Sequence, residues 1–133
     1  MLAIGLLVVA GCGADAGETQ VLEASDGSLV LVAGETTAFG QAAIPGRLIV
    51  LQAGCIGLSI GGEDALVVWP AGTVPLADGV GVTVPGFGDL RVGDELDAGG
   101  AYTSGDGAVL PEPTDACVTR QIAVVAPPAE PLQ

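Results

Sequence analysis

Apolar residues in this chain come in short runs that end at glycine or proline, and several of them alternate with glycine or a hydroxyl residue. Val80, Val82 and Val84 are separated by Gly81 and Thr83. Ile56, Leu58 and Ile60 are separated by Gly57 and Ser59. A spacing of two places such residues on one face of a strand. No stretch sustains the 3.6-residue period of an amphipathic helix, and no internal repeat is visible. The glycine count of 22 and the nine prolines supply turns rather than helix. Only four aromatics are present (Phe39, Trp69, Phe87 and Tyr102), so the core must come from Val, Leu, Ile and Ala. Abundant valine with so much glycine favours strands and tight turns over helices. A length of 133 residues fits one domain.

Six strands are expected. The first is Arg47 to Ala53, broken by Gly54. The second is Ile56 to Ile60, joined through Gly61-Gly62-Glu63-Asp64 to the third, Ala65 to Trp69, in a hairpin. Pro70 stops the third strand and opens loop 70–79. The fourth, Val80 to Val84, stops at Pro85. Leu90 to Leu96 carries a Gly-Asp turn into the fifth strand, Glu95 to Tyr102, where Gly99-Gly100 predicts a bulge or a sharp bend. Loop 103–116 follows, and then the last strand, Val118 to Ala126. This spacing predicts an all-β fold: a small five- to six-stranded barrel, OB-like or SH3-like, with a small β-sandwich as runner-up. The barrel domain is expected over 44–126 and a disordered tail over 127–133.

The N-terminal segment points to a location. Leu2 to Ala10 carries no charge and is too short to span a bilayer, which takes about 20 apolar residues. It ends in Val9-Ala10-Gly11-Cys12, which resembles the lipobox of bacterial lipoproteins. The resemblance implies cleavage before Cys12, an acyl lipid such as palmitate on its sulfur, and an extracytoplasmic protein held to the cell membrane by that lipid. Residues 1–11 are then the signal segment. The basic residues of such a segment are missing, since the first cation is Arg47, and the true start is expected upstream of Met1. An ordinary cleaved signal and a chance apolar N-terminus on a cytosolic protein are the alternatives. Residues 12–43 read as a flexible acidic tether, with Ser28 to Ala33 as an extra strand or a docking segment. The arrangement from Cys55 through Trp69-Pro70-Ala71-Gly72 to Val92-Gly93-Asp94 and Gly99-Gly100 also resembles small uncharacterised lipoproteins of high-GC Gram-positive bacteria. That resemblance covers about 70 residues and implies no activity. If Cys12 carries lipid, Cys55 and Cys117 remain as a pair in an oxidising compartment. A bridge would close a loop of about 63 residues, worth roughly 4 kcal/mol. Two buried free thiols are the alternative.

Charge and composition remove whole classes of function. The formal net charge is −13, and the three cations, Arg47, Arg91 and Arg120, are isolated in sequence. No basic patch exists to replace phosphate counterions, so nucleic-acid binding is not expected. Histidine and lysine are absent, which removes the commonest general base, Ser–His and Cys–His pairs, and Schiff-base chemistry. No enzyme, cofactor or metal centre is expected. Asp89, Asp94, Glu95, Asp97 and Asp106 leave calcium binding as a distant alternative. Arg91 and Arg120 are expected to pair with Asp89 or Glu95. The one tryptophan, Trp69, with Pro70, Thr73 and loops 70–79 and 103–116, is the candidate binding rim, set against a core role for the ring. The expected function is a monomeric, non-catalytic binding or accessory module of the cell envelope that engages a protein or peptide. The alternative is a structural surface lipoprotein without a ligand site.

Overall fold

Leu29-Val30-Leu31-Val32 and Ala65-Leu66-Val67-Val68-Trp69 are unbroken apolar runs, the pattern of strands covered on both faces. In the computed structural model, which describes residues 19–34 and 42–127, they lie side by side. Ten strands form among the described residues: β1 (Gln20–Glu23), β2 (Leu29–Val32), β3 (Ala42–Val50), β4 (Ile56–Ile60), β5 (Glu63–Trp69), β6 (Val74–Pro75), β7 (Gly81–Val84), β8 (Gly88–Arg91), β9 (Glu95–Ser104) and β10 (Gln121–Val125). The only helical turn among the described residues is a short 3-10 turn, Thr114–Cys117.

Strands β3, β4, β5, β10 and β9 pair in that order, and β9 returns to β3, so the five close into a barrel. Every contact in the ring is antiparallel except β5 with β10, which is parallel. A parallel contact between the third and fifth barrel strands is the mark of an OB-like rather than an SH3-like barrel. The all-β barrel expected from the alternation is therefore the observed fold. Between the third and fourth barrel strands the chain builds a separate three-stranded sheet, β6-β7-β8. Its Val82, Val84 and Leu90 pack into the barrel core.

Ten strands stand among the described residues where six are expected, with β6 inside loop 70–79 and β8 just before the Gly-Asp turn, and three larger departures follow. The segment read as a tether contributes two strands: β1 pairs with β2, and β2 joins β5 through Leu31↔Val68 and Val32↔Trp69. The extra-strand reading of Ser28 to Ala33 holds, and β1 had too little alternation to be seen. The turn between them closes on Asp26, whose carboxylate accepts the Ser28 hydroxyl at 2.7 Å and the Ser28 amide at 3.2 Å. These bonds hold the Asp26 carboxyl below its ordinary range. Their contribution is present above the ordinary carboxylate pKa and is lost as pH falls through the lower folded value. The second difference is β3, which begins at Ala42 and runs through Pro45. Pro45 pairs only with β9, because β4 joins β3 from Arg47 onward, so no second ladder is interrupted there. The strand stops at Val50, where Leu51 and Cys55 close a turn. Third, β10 starts at Gln121 rather than Val118. Cys12 with the segment before it, residues 35–41 and most of the expected tail lie outside the described residues.

Two cores result. The barrel interior holds Ile44, Leu48, Ile56, Leu58, Val67, Trp69, Leu96, Ala98, Ala123 and Val125, joined by Val30 and Val32 of β2. A second cluster, of Leu31, Leu51, Cys55, Leu66, Cys117 and Ile122, forms separately. Leu66 and Ile122 alternate with Val67 and Ala123, so it lies on the outer face of β5 and β10.

Barrel closure depends on Gly100. It is the one residue of β9 paired on both edges, to Ala42 of β3 and to Val125 of β10. A Cβ there would lie 2.0 Å from the Val124 carbonyl oxygen and 2.8 Å from Ile44 Cδ1. The bend expected at Gly99-Gly100 is thus the point where β9 passes from one partner to the other. Gly100→Ala should lower stability by about 2–3 kcal/mol in urea unfolding. Gly99→Ala, where the nearest contact would be an ordinary 3.7 Å, should cost much less.

Candidate functional site

Cys55 and Cys117 are joined by a disulfide, with their Cα atoms 6.1 Å apart. Both are buried, at the middle of the outer core. The bridge fastens the β3–β4 turn to the 3-10 turn that ends the long β9–β10 connection. That connection would otherwise be held by little. Leu110 packs on the outer core, and the Gly105 amide donates to the Arg120 carbonyl at 2.8 Å. Thr114, fully buried, donates its hydroxyl to the Pro111 carbonyl.

Between the two fastened loops lies an open groove of about 470 Å³. Leu51, Gln52 and Ala53 form one side, Ala116, Cys117, Val118 and Thr119 the other, and Asp64 of β5 borders it. Thr119 is committed to the fold: its hydroxyl accepts the Leu66 amide at 2.9 Å and donates to the Gln121 carbonyl at 2.7 Å. Two further depressions lie on the barrel wall. One, of about 580 Å³, lies over Pro45, Arg47, Ser59, Glu95 and Asp97. The other, of about 430 Å³, lies over Tyr102, Ser104 and Arg120. Each of these contains an arginine already paired.

All three arginines are paired, two of them with partners other than those expected. Arg120 meets Glu63 at 2.9 Å and Arg91 meets Asp78 at 3.6 Å, while Arg47 meets Glu95 at 3.2 Å. The sequence predicts Asp89 or Glu95 for Arg91 and Arg120. Asp89 instead takes the Thr83 hydroxyl, and the turn at Asp94 points its carboxylate to the Arg91 amide. All these pairs are solvent-exposed and contribute little stability. Every described carboxylate is exposed, so the exterior is acidic with its cations neutralised. Asp89, Asp94, Glu95, Asp97 and Asp106 do not converge: no group of three or more potential metal ligands forms among the described residues.

The rim expected around Trp69 is not a surface. Trp69 is fully buried in the barrel core, and its indole N–H donates to the Ile56 carbonyl at 3.3 Å. Val82, Val84 and Leu90 of the β6-β7-β8 sheet belong to the same core. Pro70 is buried, and Thr73 is 1% exposed with its amide donating to the Pro70 carbonyl. The Thr73 hydroxyl has no hydrogen-bond partner among the described residues. A tryptophan before a proline at a strand end reads as a core residue first and as a lip second, and its burial bears out the core reading. The groove was legible only through the cysteines, because their pairing makes the loops beside Cys55 and Cys117 neighbours.

No family model, curated protein or solved structure matches the chain.

Trp69 fluorescence should peak at short wavelength and resist quenching by iodide. A red-shifted, quenchable emission would place the ring at the surface after all. Thr73→Val removes an unpartnered buried hydroxyl at constant shape and should raise stability by about 1 kcal/mol in urea unfolding. A loss of that size would reveal a partner for the hydroxyl.

Proposed function

We propose that this chain is the globular head of a cell-envelope lipoprotein, anchored by lipid on Cys12 and acting as a non-catalytic binding or accessory module. The observation that carries the reading is the Cys55–Cys117 bond. Structural disulfides belong to oxidising compartments. The bond also uses two of the three cysteines and leaves Cys12, the one that ends the apolar segment. Attachment through lipid is needed because the surface repels anionic headgroups. The recognition surface in this reading is the groove between residues 51–53 and 116–119, whose two sides the bridge holds at a fixed separation. Preorganised walls reduce the entropy lost on binding. None of the residues lining the groove provides a nucleophile beside a general base.

A second reading, a structural surface lipoprotein without a ligand site, draws on the uniformly acidic exterior. The two differ in whether the groove binds anything.

Expressed in a bacterial host with a basic leader ahead of Met1, the protein should incorporate an alkynyl fatty acid and partition into detergent. Cys12→Ala should abolish both. A Cys12→Ala protein that labels as strongly as the parent would contradict the anchor.

A further inference from the structure

We propose that the groove takes an extended polypeptide segment carrying a cationic side chain, hydrogen-bonded to the open edge of β5 at Asp64. The inference rests on the binding-module reading and names its partner class. It does not depend on the fate of Cys12.

The barrel has an incomplete seam at this point. The parallel ladder between β5 and β10 covers only Leu66↔Ile122, Ala123↔Val67 and Val124↔Val68. Below Leu66 no strand among the described residues pairs with that edge of β5. The Leu66 amide shows which way the backbone faces, because it donates toward the β10 side, to the Thr119 hydroxyl at 2.9 Å. In a strand, residues two apart direct their N–H and C=O groups to the same edge. The Asp64 amide and carbonyl therefore face the same edge, beside the groove lined by Thr119 and Val118. A strand edge of this kind accepts an extended chain by main-chain pairing.

The side chains select the kind of chain. Leu51, Ala53, Ala116 and Val118 offer small apolar contacts, with Val118 44% exposed. Asp64 is the only charged residue lining the groove, and it makes no ion pair among the described residues. The neighbouring cation, Arg120, is held by Glu63 at 2.9 Å. Asp115 is exposed in the same 3-10 turn as Ala116 and Cys117. The local field therefore favours a lysine or arginine next to small apolar residues, and the net charge of −13 steers such a segment inward. A nucleic acid finds no cation here, and an oligosaccharide finds no aromatic among the lining residues.

The test is titration of the 15N-labelled, oxidised chain with the peptide acetyl-Thr-Val-Lys-Val-Thr-Val-amide, and with the same peptide carrying Glu in place of Lys. Saturable shifts are expected at Gln52, Asp64, Ala65, Val118 and Thr119, with the Glu peptide bound about fivefold more weakly. Asp64→Asn should erase the preference and Asp64→Lys should reverse it. The dispersed amide spectrum of each variant reports that it remains folded, as the exposed position implies. No shifts with either peptide, shifts confined to another face, or a preference unchanged in Asp64→Lys would overturn the proposal. Fatty-acid labelling at Cys12 is read separately, so loss of the anchor and loss of the peptide site are distinguishable.

Discussion

Strand β5 bears the constraint on which the rest depends: it has three partners. Along one edge it pairs with β4 through Glu63 to Leu66 and then with β2 through Val68 and Trp69. Along the other it pairs with β10. Both faces of the strand are covered by the two cores, and this explains its unbroken apolar run from Ala65 to Trp69. The inward residues Val67 and Trp69 complete the barrel core, while the outward Leu66 joins the second core. With one tryptophan and little other aromatic volume, the chain fills its interior by placing that ring at the junction, in one core with Val82, Val84 and Leu90.

The second core has a different origin. A small barrel ordinarily leaves the outer face of its strands to water. Here Leu66 and Ile122 face outward and need cover, which comes from Leu31, from the β3–β4 turn and from the long connection before β10. That connection has few backbone bonds of its own and is held by Cys117. The disulfide thus does two things at once. It closes the outer core, and it fixes the two loops that border the groove. Both follow from one placement, with Cys55 immediately before β4 and Cys117 shortly before β10. The acidic exterior is compatible with this arrangement because every described carboxylate stays in solvent, where none bears a burial cost.

The parts of the fold readable from sequence were those with strong local signals. Alternation at Ile56 to Ile60 and Val80 to Val84, and the Gly61-Gly62 turn, located β4, β5 and β7 closely. Gly99-Gly100 marked the place where β9 changes partners, because a residue with a side chain cannot approach Val124 at Gly100. The misses share a cause, tertiary pairing that overrides weak local pattern. Gln20 to Glu23 is a strand only because β2 is beside it. Val74-Pro75 is a strand only against Val82 and Thr83. The core reading of Trp69 is borne out, while the rim of Trp69, Pro70 and Thr73 is not, because all three residues are buried. The cysteine pair was the reverse case: its chemistry was visible, but not which loops it would bring to one side of the barrel.

Strand β5 runs antiparallel to β4 and parallel to both β2 and β10, and the barrel and the outer core depend on that junction. Cross-strand nuclear Overhauser contacts in the oxidised chain test this most directly. The structure requires a parallel pattern between Leu66 to Val68 and Ile122 to Val124, a parallel contact of Leu31 with Val68, and an antiparallel pattern between Ala65 and Leu58. An antiparallel β5–β10 pattern, or no contact between Leu31 and Val68, would contradict the barrel, the outer core and the seam together.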